Sequence, residues 1–245
     1  MMNLSKRRIL GLIAGMTMLG VAAPSTMGQA SEAPKGKTPA ATQPADDHKD
    51  HKDHKDHKDH NKADGNGKVT IGQAAPAFEL KDTDGKVVKL ADFKGKVVVL
   101  EWFNPECPYV KKHHEANKTM ANTYNKFKDK GVVWLAINSG AAGKEGAGAE
   151  ANAAVKKEWK LPYSILIDDK GTAGKAYGSK NTPTMFVIDT AGNLAYMGAI
   201  DNDNSAGKLG SINYVEQALT QVLAKETVST PVTKAYGCSV KYGGS

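Results

Sequence analysis

The chain has 245 residues, of which 40% are hydrophobic and 24% charged, and its formal net charge is +7 at pH 7. Three of the basic residues lie at positions 6–8, so the chain beyond that point is only mildly basic. Its basic residues are scattered lysines, with no arginine-rich stripe and no interleaved aromatic residues. This composition argues against nucleic-acid binding as the function. The length fits one domain with additional segments.

Residues 1–30 are predicted to be a secretory signal peptide. A basic run at 6–8 precedes an apolar stretch at 9–21, and small residues at 28 and 30 suit a signal peptidase. The apolar stretch is too short and too glycine-rich for a typical membrane span. We therefore expect a periplasmic or secreted protein with no stable membrane span after cleavage. An uncleaved N-terminal anchor is the alternative.

Residues 31–67 are predicted to be a disordered linker, because this polar, low-complexity segment cannot bury a core. A tandem repeat of Asp, His and Lys places a histidine at every third position: His48, His51, His54, His57 and His60. We interpret the repeat as a solvated spacer. A weak zinc, copper or nickel site is the alternative, because neutral imidazole suits those ions. No metal and no other cofactor is expected in the folded domain.

Residues 68–245 are predicted to form one α/β domain. A hairpin around Asp84-Gly85 comes first, and a buried strand follows at 96–103. A helix is expected from Cys107 to about residue 128, and Gly131 is the residue expected to end it. The remaining segments alternate between strands (132–137, 163–167, 184–188 and 194–198) and helices (150–159, 172–177 and 212–225). This alternation predicts a central sheet flanked by helices.

Cys107 is the leading candidate nucleophile. It follows the buried strand and begins the predicted helix, where unpaired N–H groups and the positive end of the helix dipole meet it. A thiol there is stabilised as the thiolate, which is the reactive species. Lys111 and Lys112, about one helical turn further on, are expected to lower the pKa of this thiol. Glu101 and Glu106 act in the opposite direction.

His113 and His114 suggest a cysteine–histidine catalytic pair, but regular helical geometry argues against one. His114 would lie about 10 Å along the helix axis from Cys107, and His113 would point off the face that carries the cysteine. A general base needs contact at about 3 Å. We therefore expect a partly exposed pair on the helix surface. The same distances argue against a metal site with Cys107.

The order of elements resembles the redoxin branch of the thioredoxin-like superfamily, which includes peroxiredoxin-like (AhpC/TSA-type) proteins. The runs that carry the resemblance are 71–80, 92–100 and 181–189. The segment at 107–110 and the tail at 236–242 together resemble a subgroup with a C-terminal Gly-Cys-Ser motif. The resemblance implies a thioredoxin-like fold, with a central mixed sheet flanked by helices and an N-terminal β-hairpin extension.

The resemblance also implies a substrate site. Pro183 would be cis and would face the active cysteine, and Thr182 before it would pair with an extended peptide or a disulfide. Pro108 would complete the substrate-binding residues. A trans proline at the start of a strand is the alternative. The implied partners are a thiol or disulfide protein or a small-molecule peroxide, together with an external thiol reductant.

Several residues depart from the patterns of this superfamily. Val110 stands where a thioredoxin has its second cysteine, so the candidate nucleophile has no resolving thiol beside it. Asn104 and Leu100 stand where a peroxiredoxin has Thr and Pro. The only arginines lie at positions 7 and 8, inside the predicted signal peptide. Because a lysine cannot reproduce the planar fork of a guanidinium, a fast peroxidase of the usual design is not expected.

Cys238 is the only other cysteine of the chain. The hypothesis is that the tail returns to Cys107, and that Cys238 resolves a sulfenate or a mixed disulfide there by forming a Cys107–Cys238 bond. A static structural disulfide, or a tail thiol that meets a partner chain, is the alternative. The sequence therefore predicts an exported thiol-disulfide oxidoreductase with weak peroxidase activity. A non-enzymatic redoxin-like module that binds metal or a partner is the other function class.

Overall fold

The computed structural model describes residues 69–244. The predicted signal peptide and the histidine-rich linker lie outside those residues and stay predictions. The strands within residues 69–244 are β1 (Glu79–Asp82), β2 (Val87–Lys89), β3 (Val97–Trp102), β4 (Val132–Asn138), β5 (Ser164–Ile167), β6 (Asn181–Thr182), β7 (Thr184–Ile188), β8 (Leu194–Gly198) and β9 (Cys238–Ser239). The helices are α1 (Pro108–Lys111), α2 (Thr119–Phe127), α3 (Ala149–Glu158), α4 (Thr172–Ala176) and α5 (Tyr214–Leu223), and 3₁₀ turns lie at Leu90–Phe93 and Lys128–Lys130.

A seven-stranded mixed sheet is the centre of the fold, in the order β2-β1-β5-β4-β3-β7-β8. Strands β3, β4 and β5 run parallel, while β7 and β8 at one side and β1 and β2 at the other pair antiparallel. The sheet and its flanking helices confirm the predicted α/β, thioredoxin-like fold class. The predicted N-terminal hairpin is the β1–β2 pair. Within residues 69–244, no helix is both long and apolar enough to span a membrane.

The two faces of the sheet support two hydrophobic cores, because successive side chains of a strand point to opposite faces. All six residues of β3 are buried. Val97 and Val99 pack on one face with α2 and α5, whereas Val98 and Leu100 pack on the other with α4. Cys107 belongs to the first of these cores. The candidate nucleophile therefore lies on the face that α2 and α5 cover.

The helix predicted from Cys107 to residue 128 is interrupted, so that expectation is wrong. It begins as α1, widens into a π-helical turn over Lys112–Ala116, and breaks at Lys118, which has a φ of 52° in the left-handed region. A π turn contains an additional residue, so it rotates the side chains that follow relative to a regular helix. His113 and His114 are consequently buried rather than on the exposed surface that a continuous helix predicted.

A second, two-stranded sheet was not predicted. It joins β6 to β9, so that Asn181 lies opposite Ser239 and Thr182 opposite Cys238. Strands of two residues carry too few side chains for a periodic pattern, and β9 lies in the C-terminal tail that follows α5. This pair brings the end of the chain to the residue before Pro183.

Candidate active site

The turn between β3 and α1 fixes the position of Cys107. The backbone N–H of Cys107 donates to the carbonyl of Asn104 at 3.1 Å, and the Asn104 side chain accepts from the Glu106 N–H at 2.9 Å. The Asn104 amide also donates to the carbonyl of Glu145 at 3.0 Å. Cys107 is the N-cap residue of α1, with Pro108 as its first helical residue. Asn104 therefore shapes this turn, at the position where the resemblance would place a threonine.

The cysteine thiol faces the peptide unit before Pro183. The Thr182–Pro183 peptide bond is cis, as the resemblance implied. The Sγ of Cys107 lies 3.0 Å from the carbonyl oxygen of Thr182 and donates its S–H to it. Only 3% of Cys107 is exposed. The thiol is thus enclosed, and its hydrogen-bond partner is the backbone of a residue 75 positions away in the chain.

Cys238 reaches the same place from the C-terminal tail. It lies opposite Thr182 in the β6–β9 pair, and the Thr182 hydroxyl contacts its carbonyl at 3.5 Å. Both cysteines are free thiols here, so the predicted bond between them stays a prediction for the oxidised protein. Burial raises the pKa of Cys238 to about 12, and the neighbouring Cys107 thiol adds to the shift. Cys238 is therefore held as a protonated thiol next to the candidate nucleophile.

Residues on both sides of Cys238 fasten the tail to the domain. Upstream, the Tyr236 hydroxyl donates to Asp201 and lies 2.9 Å from Nε2 of His113. Downstream, the Tyr242 hydroxyl donates to the carbonyl of Ser179 at 2.7 Å. The backbone N–H of Val240 donates to Lys180, and the carbonyl of Lys241 accepts from Ala141. Cys238 is consequently the middle of an anchored segment rather than a residue on a free end.

The two lysines expected to activate Cys107 have other partners. Lys111 pairs at the surface with Glu106, at 3.0 Å. The ammonium group of Lys112 is buried and donates to the carbonyls of Asp203 and Ser205, at 2.8 and 2.9 Å. Both ammonium groups thus have other hydrogen-bond partners, and their expected effect on the thiol stays a prediction. The interruption of the helix by the π turn directs Lys112 inward.

Sequence reasoning missed a buried pair, Glu101 and His114. The Glu101 side chain is fully buried, and one of its carboxylate oxygens lies 2.6 Å from Nε2 of His114. The other oxygen accepts from the indole N–H of Trp134 at 3.0 Å, and the hydroxyl of Tyr163 lies 3.5 Å from it. A glutamate within an otherwise apolar strand is the signal that could have revealed this network, because buried carboxylates require partners. Within the described residues, no group of three or more potential ligands could hold a metal ion.

Comparisons with known proteins agree with this geometry. The model of the AhpC/TSA family matches residues 71–197, which is more than half of the chain. The chain belongs to the AhpC/TSA family. The thiol-disulfide oxidoreductase ResA of Bacillus thuringiensis is 35% identical over 130 residues, which cover 52% of this chain and 68% of the relative. Peroxiredoxin Q of Oryza sativa subsp. japonica is 37% identical over 114 residues, which cover 46% and 48%.

Solved structures resemble the AhpC/TSA protein over most of the described domain. An uncharacterised conserved protein from Geobacillus kaustophilus matches with a TM-score of 0.67 at 28% identity, covering 73% of this chain and 95% of that one. A hypothetical protein from Sinorhizobium meliloti matches with a TM-score of 0.66 at 27% identity, covering 73% and 97%. The family, its relatives and the enclosed thiol identify a thioredoxin-like oxidoreductase. The family match ends at Met197, so it does not include the tail with Cys238.

Proposed function

We propose that this protein is an exported thiol-disulfide oxidoreductase in which Cys107 is the nucleophile and Cys238 the resolving thiol. One observation carries the proposal. Cys238 lies opposite Thr182, and the carbonyl of Thr182 accepts the thiol hydrogen of Cys107. The two cysteines thus share Thr182 as a neighbour, so Cys238 is already held close to Cys107 before the reaction begins. Intramolecular attack benefits strongly from such a fixed approach.

The chemistry needs both thiols and one external electron donor. The Cys107 thiolate attacks one sulfur of a substrate disulfide, which forms a mixed disulfide and releases the other sulfur as a thiolate. Cys238, deprotonated, then attacks the Cys107 sulfur and releases the second substrate thiolate. The substrate disulfide gains two electrons, and the two protein thiols lose two as they form one disulfide. An external thiol reductant reduces this disulfide and restores both thiols.

A hydroperoxide is a second electron acceptor for the same residues. Attack by the Cys107 thiolate breaks the O–O bond, leaving a sulfenic acid and releasing an alcohol or water. Cys238 then displaces water to form the same disulfide. The enzyme has no arginine beyond position 8 to polarise the peroxide. We therefore propose that peroxide reduction is slow and secondary, although peroxiredoxin Q is among the relatives.

The remaining parts of the proposal concern the substrate and the location. We assign Thr182, Pro183 and Pro108 as the substrate-binding residues. The carbonyl of Thr182, the residue before Pro183, accepts from the Cys107 thiol, and Pro108 follows Cys107 in the chain. The basic and apolar pattern of residues 1–30 supports export to the periplasm or beyond. An oxidising compartment allows a disulfide between two cysteines to persist between reduction cycles.

The test uses the purified protein and its two single cysteine variants. Disulfide reduction and hydroperoxide consumption are measured with a dithiol as the electron donor. We expect Cys107→Ser to abolish both activities. Cys238→Ser, reduced and freed of the dithiol before the substrate is added, is expected to react once and to accumulate a mixed disulfide or a sulfenic acid on Cys107, which mass spectrometry after proteolysis identifies. Activity that survives in Cys107→Ser would refute the mechanism.

A further inference from the structure

A buried lysine organises a loop beside the active-site helix. The side chain of Lys112 is 1% exposed, and its ammonium donates to the carbonyls of Asp203 and Ser205. The carboxylates of Asp201 and Asp203 lie 3.9 and 4.0 Å away. A buried ammonium is stable only with such partners. The loop at 201–205 is therefore folded around the lysine.

That loop holds the tail through Tyr236. One carboxylate oxygen of Asp201 accepts from the Tyr236 hydroxyl, and the other accepts from the backbone N–H of Gly210 at 2.7 Å. Because the Tyr236 hydrogen goes to Asp201, Nε2 of His113 is the donor in the 2.9 Å contact with the tyrosine oxygen. The ammonium of Lys112 lies 5.2 Å from the centre of the Tyr236 ring, a cation–π distance.

The placement of Cys238 depends on such an anchor. Strand β9 has two residues, and its partner β6 also has two. So short a pair of strands does not fix its own register. A slip of one residue would turn the Cys238 side chain to the opposite face, so another contact must hold the register. Only Gly237 separates Tyr236 from Cys238, so an anchor at Tyr236 acts close to Cys238. Both pack against the core that contains Cys107.

We propose that Lys112, Asp201 and Tyr236 form a clasp that positions Cys238 for attack on the Cys107 sulfur. These are positioning residues, since none of them is assigned a contact with the reacting sulfurs. The inference rests on the proposed function, in which Cys238 resolves the intermediate on Cys107. The clasp acts only on the second step, in which Cys238 attacks the mixed disulfide on Cys107. The hydrogen bonds that hold Cys107, to Asn104 and Thr182, do not involve the clasp residues.

The experiment separates the two steps in the full chain. Reduced protein is mixed with glutathione disulfide and quenched with acid, and mass spectrometry follows first the glutathionylated Cys107 and then the Cys107–Cys238 disulfide. The variants are Tyr236→Phe, which deletes one oxygen, and Lys112→Met. Their matched controls are Tyr124→Phe, on α2, and Lys126→Met, an exposed lysine that pairs with Glu216. Tyr236→Phe keeps the test valid if Lys112→Met does not fold.

We expect glutathionylation of Cys107 to keep its wild-type rate in the clasp variants, and formation of the Cys107–Cys238 disulfide to slow by about 10- to 100-fold, as misplacement of a reacting group does. Both controls should match the wild type in both steps. A general loss of stability would instead change the first step as well. A wild-type rate of the second step in Tyr236→Phe, and in Lys112→Met if that variant folds, would overturn the inference.

A second measurement distinguishes failure of the clasp from failure of the proposed function. The rate at which a maleimide labels Cys238 in the reduced protein reports how firmly the tail is held, whatever the catalytic role of this cysteine. We expect faster labelling of Cys238 in Tyr236→Phe than in wild type. Suppose that the wild type forms no Cys107–Cys238 disulfide, but maleimide labels Cys238 faster in Tyr236→Phe. The proposal that Cys238 is the resolving thiol is then wrong, while the clasp is still shown to hold the tail. Unchanged labelling together with unchanged resolution refutes the clasp.

Discussion

Thr182 lies directly opposite Cys238 in the antiparallel pair, and its carbonyl accepts the thiol hydrogen of Cys107 at 3.0 Å. One residue thus contacts both cysteines of the protein. The paired tail also occupies the backbone edge that β6 would otherwise offer to an extended peptide. An extended peptide that paired with β6 would therefore have to displace the segment Cys238–Ser239.

Gly237 is the position where a single methyl group should separate the tail from Thr182. A Cβ at Gly237 would lie 2.1 Å from the carbonyl oxygen of Thr182, and the residue has a φ of +118°. We expect Gly237→Ala to displace the tail and to slow formation of the Cys107–Cys238 disulfide by at least about 10-fold. Quenched oxidation followed by mass spectrometry measures this rate.

Gly192→Ala is the matched control for that substitution. Gly192 has a φ of +90°, yet a Cβ there would meet no atom within 4 Å. It therefore carries a similar backbone cost without the collision with Thr182. Equal rates of disulfide formation in the two variants would show that the approach of Gly237 to Thr182 does not hold the tail in place.

Alkylation of Cys238 should depend steeply on pH. Burial raises the pKa of this thiol to about 12, above the ordinary value of about 8.5. At neutral pH the group is protonated, and its thiolate fraction grows about tenfold for each pH unit until the pH approaches the pKa. We expect the labelling rate with iodoacetamide to keep rising through about pH 10.5, beyond the pH at which an ordinary thiol is fully ionised. Site-resolved mass spectrometry measures that rate, with the denatured protein as the reference; a rate in the folded protein that levels off by about pH 9.5 would contradict the prediction.

His113 should make the protein less stable in mild acid. Burial lowers its pKa from 6.5 to about 4. Between those values the unfolded chain binds a proton that the folded protein does not, so the free energy of unfolding falls as the pH falls from 6.5 toward 4. The full effect is on the order of 3 kcal/mol, because one pKa unit corresponds to about 1.4 kcal/mol. Urea unfolding at several pH values measures it.

His113→Gln removes this titration while keeping a donor for Tyr236. Carboxylates titrate in the same range in both proteins, so the difference between the two stability curves isolates the histidine. We expect the variant to lose less stability than the wild type between pH 6.5 and 4. Parallel curves would show that proton uptake at His113 does not contribute.

The buried Glu101 should be essential for stability. Glu101→Ala leaves Nε2 of His114 and the indole N–H of Trp134 without their acceptor inside the core. Removal of one member of such a network costs about 3–5 kcal/mol. Equilibrium urea unfolding, followed by tryptophan fluorescence and circular dichroism, should show a large shift of the midpoint.

Glu79→Ala serves as the control for Glu101→Ala. Glu79 pairs at 2.8 Å with Lys89, and both side chains are at least half exposed. An exposed ion pair contributes little to stability, so the unfolding midpoint of Glu79→Ala should stay close to that of wild type. If the Glu101 variant unfolded at the same urea concentration as this control, the network around Glu101 would not be a stabilising one.

Much of the fold follows from local patterns. The apolar run at 97–100, the turn at Asp84-Gly85 and the alternation of strand and helix predicted the sheet, because burial and turn geometry act over a few residues. Cys107 was predicted at the start of a helix for the same reason, and it is the N-cap residue of α1. The continuous helix beyond it was wrong, because a periodicity of 3.6 residues cannot reveal a π turn.

The sequence by itself determined the α/β fold, the place of the candidate nucleophile at the start of a helix and the absence of a second cysteine at position 110. Only the tertiary structure decided what surrounds Cys107, because the contacts join distant parts of the chain. Thr182 lies 75 positions from Cys107, and Tyr236 lies 123 from His113. The direction of a buried side chain depends on the packing of all its neighbours, which no local pattern contains. That packing places Cys238 opposite Thr182 and gives the Lys112 ammonium its acceptors at Asp203 and Ser205.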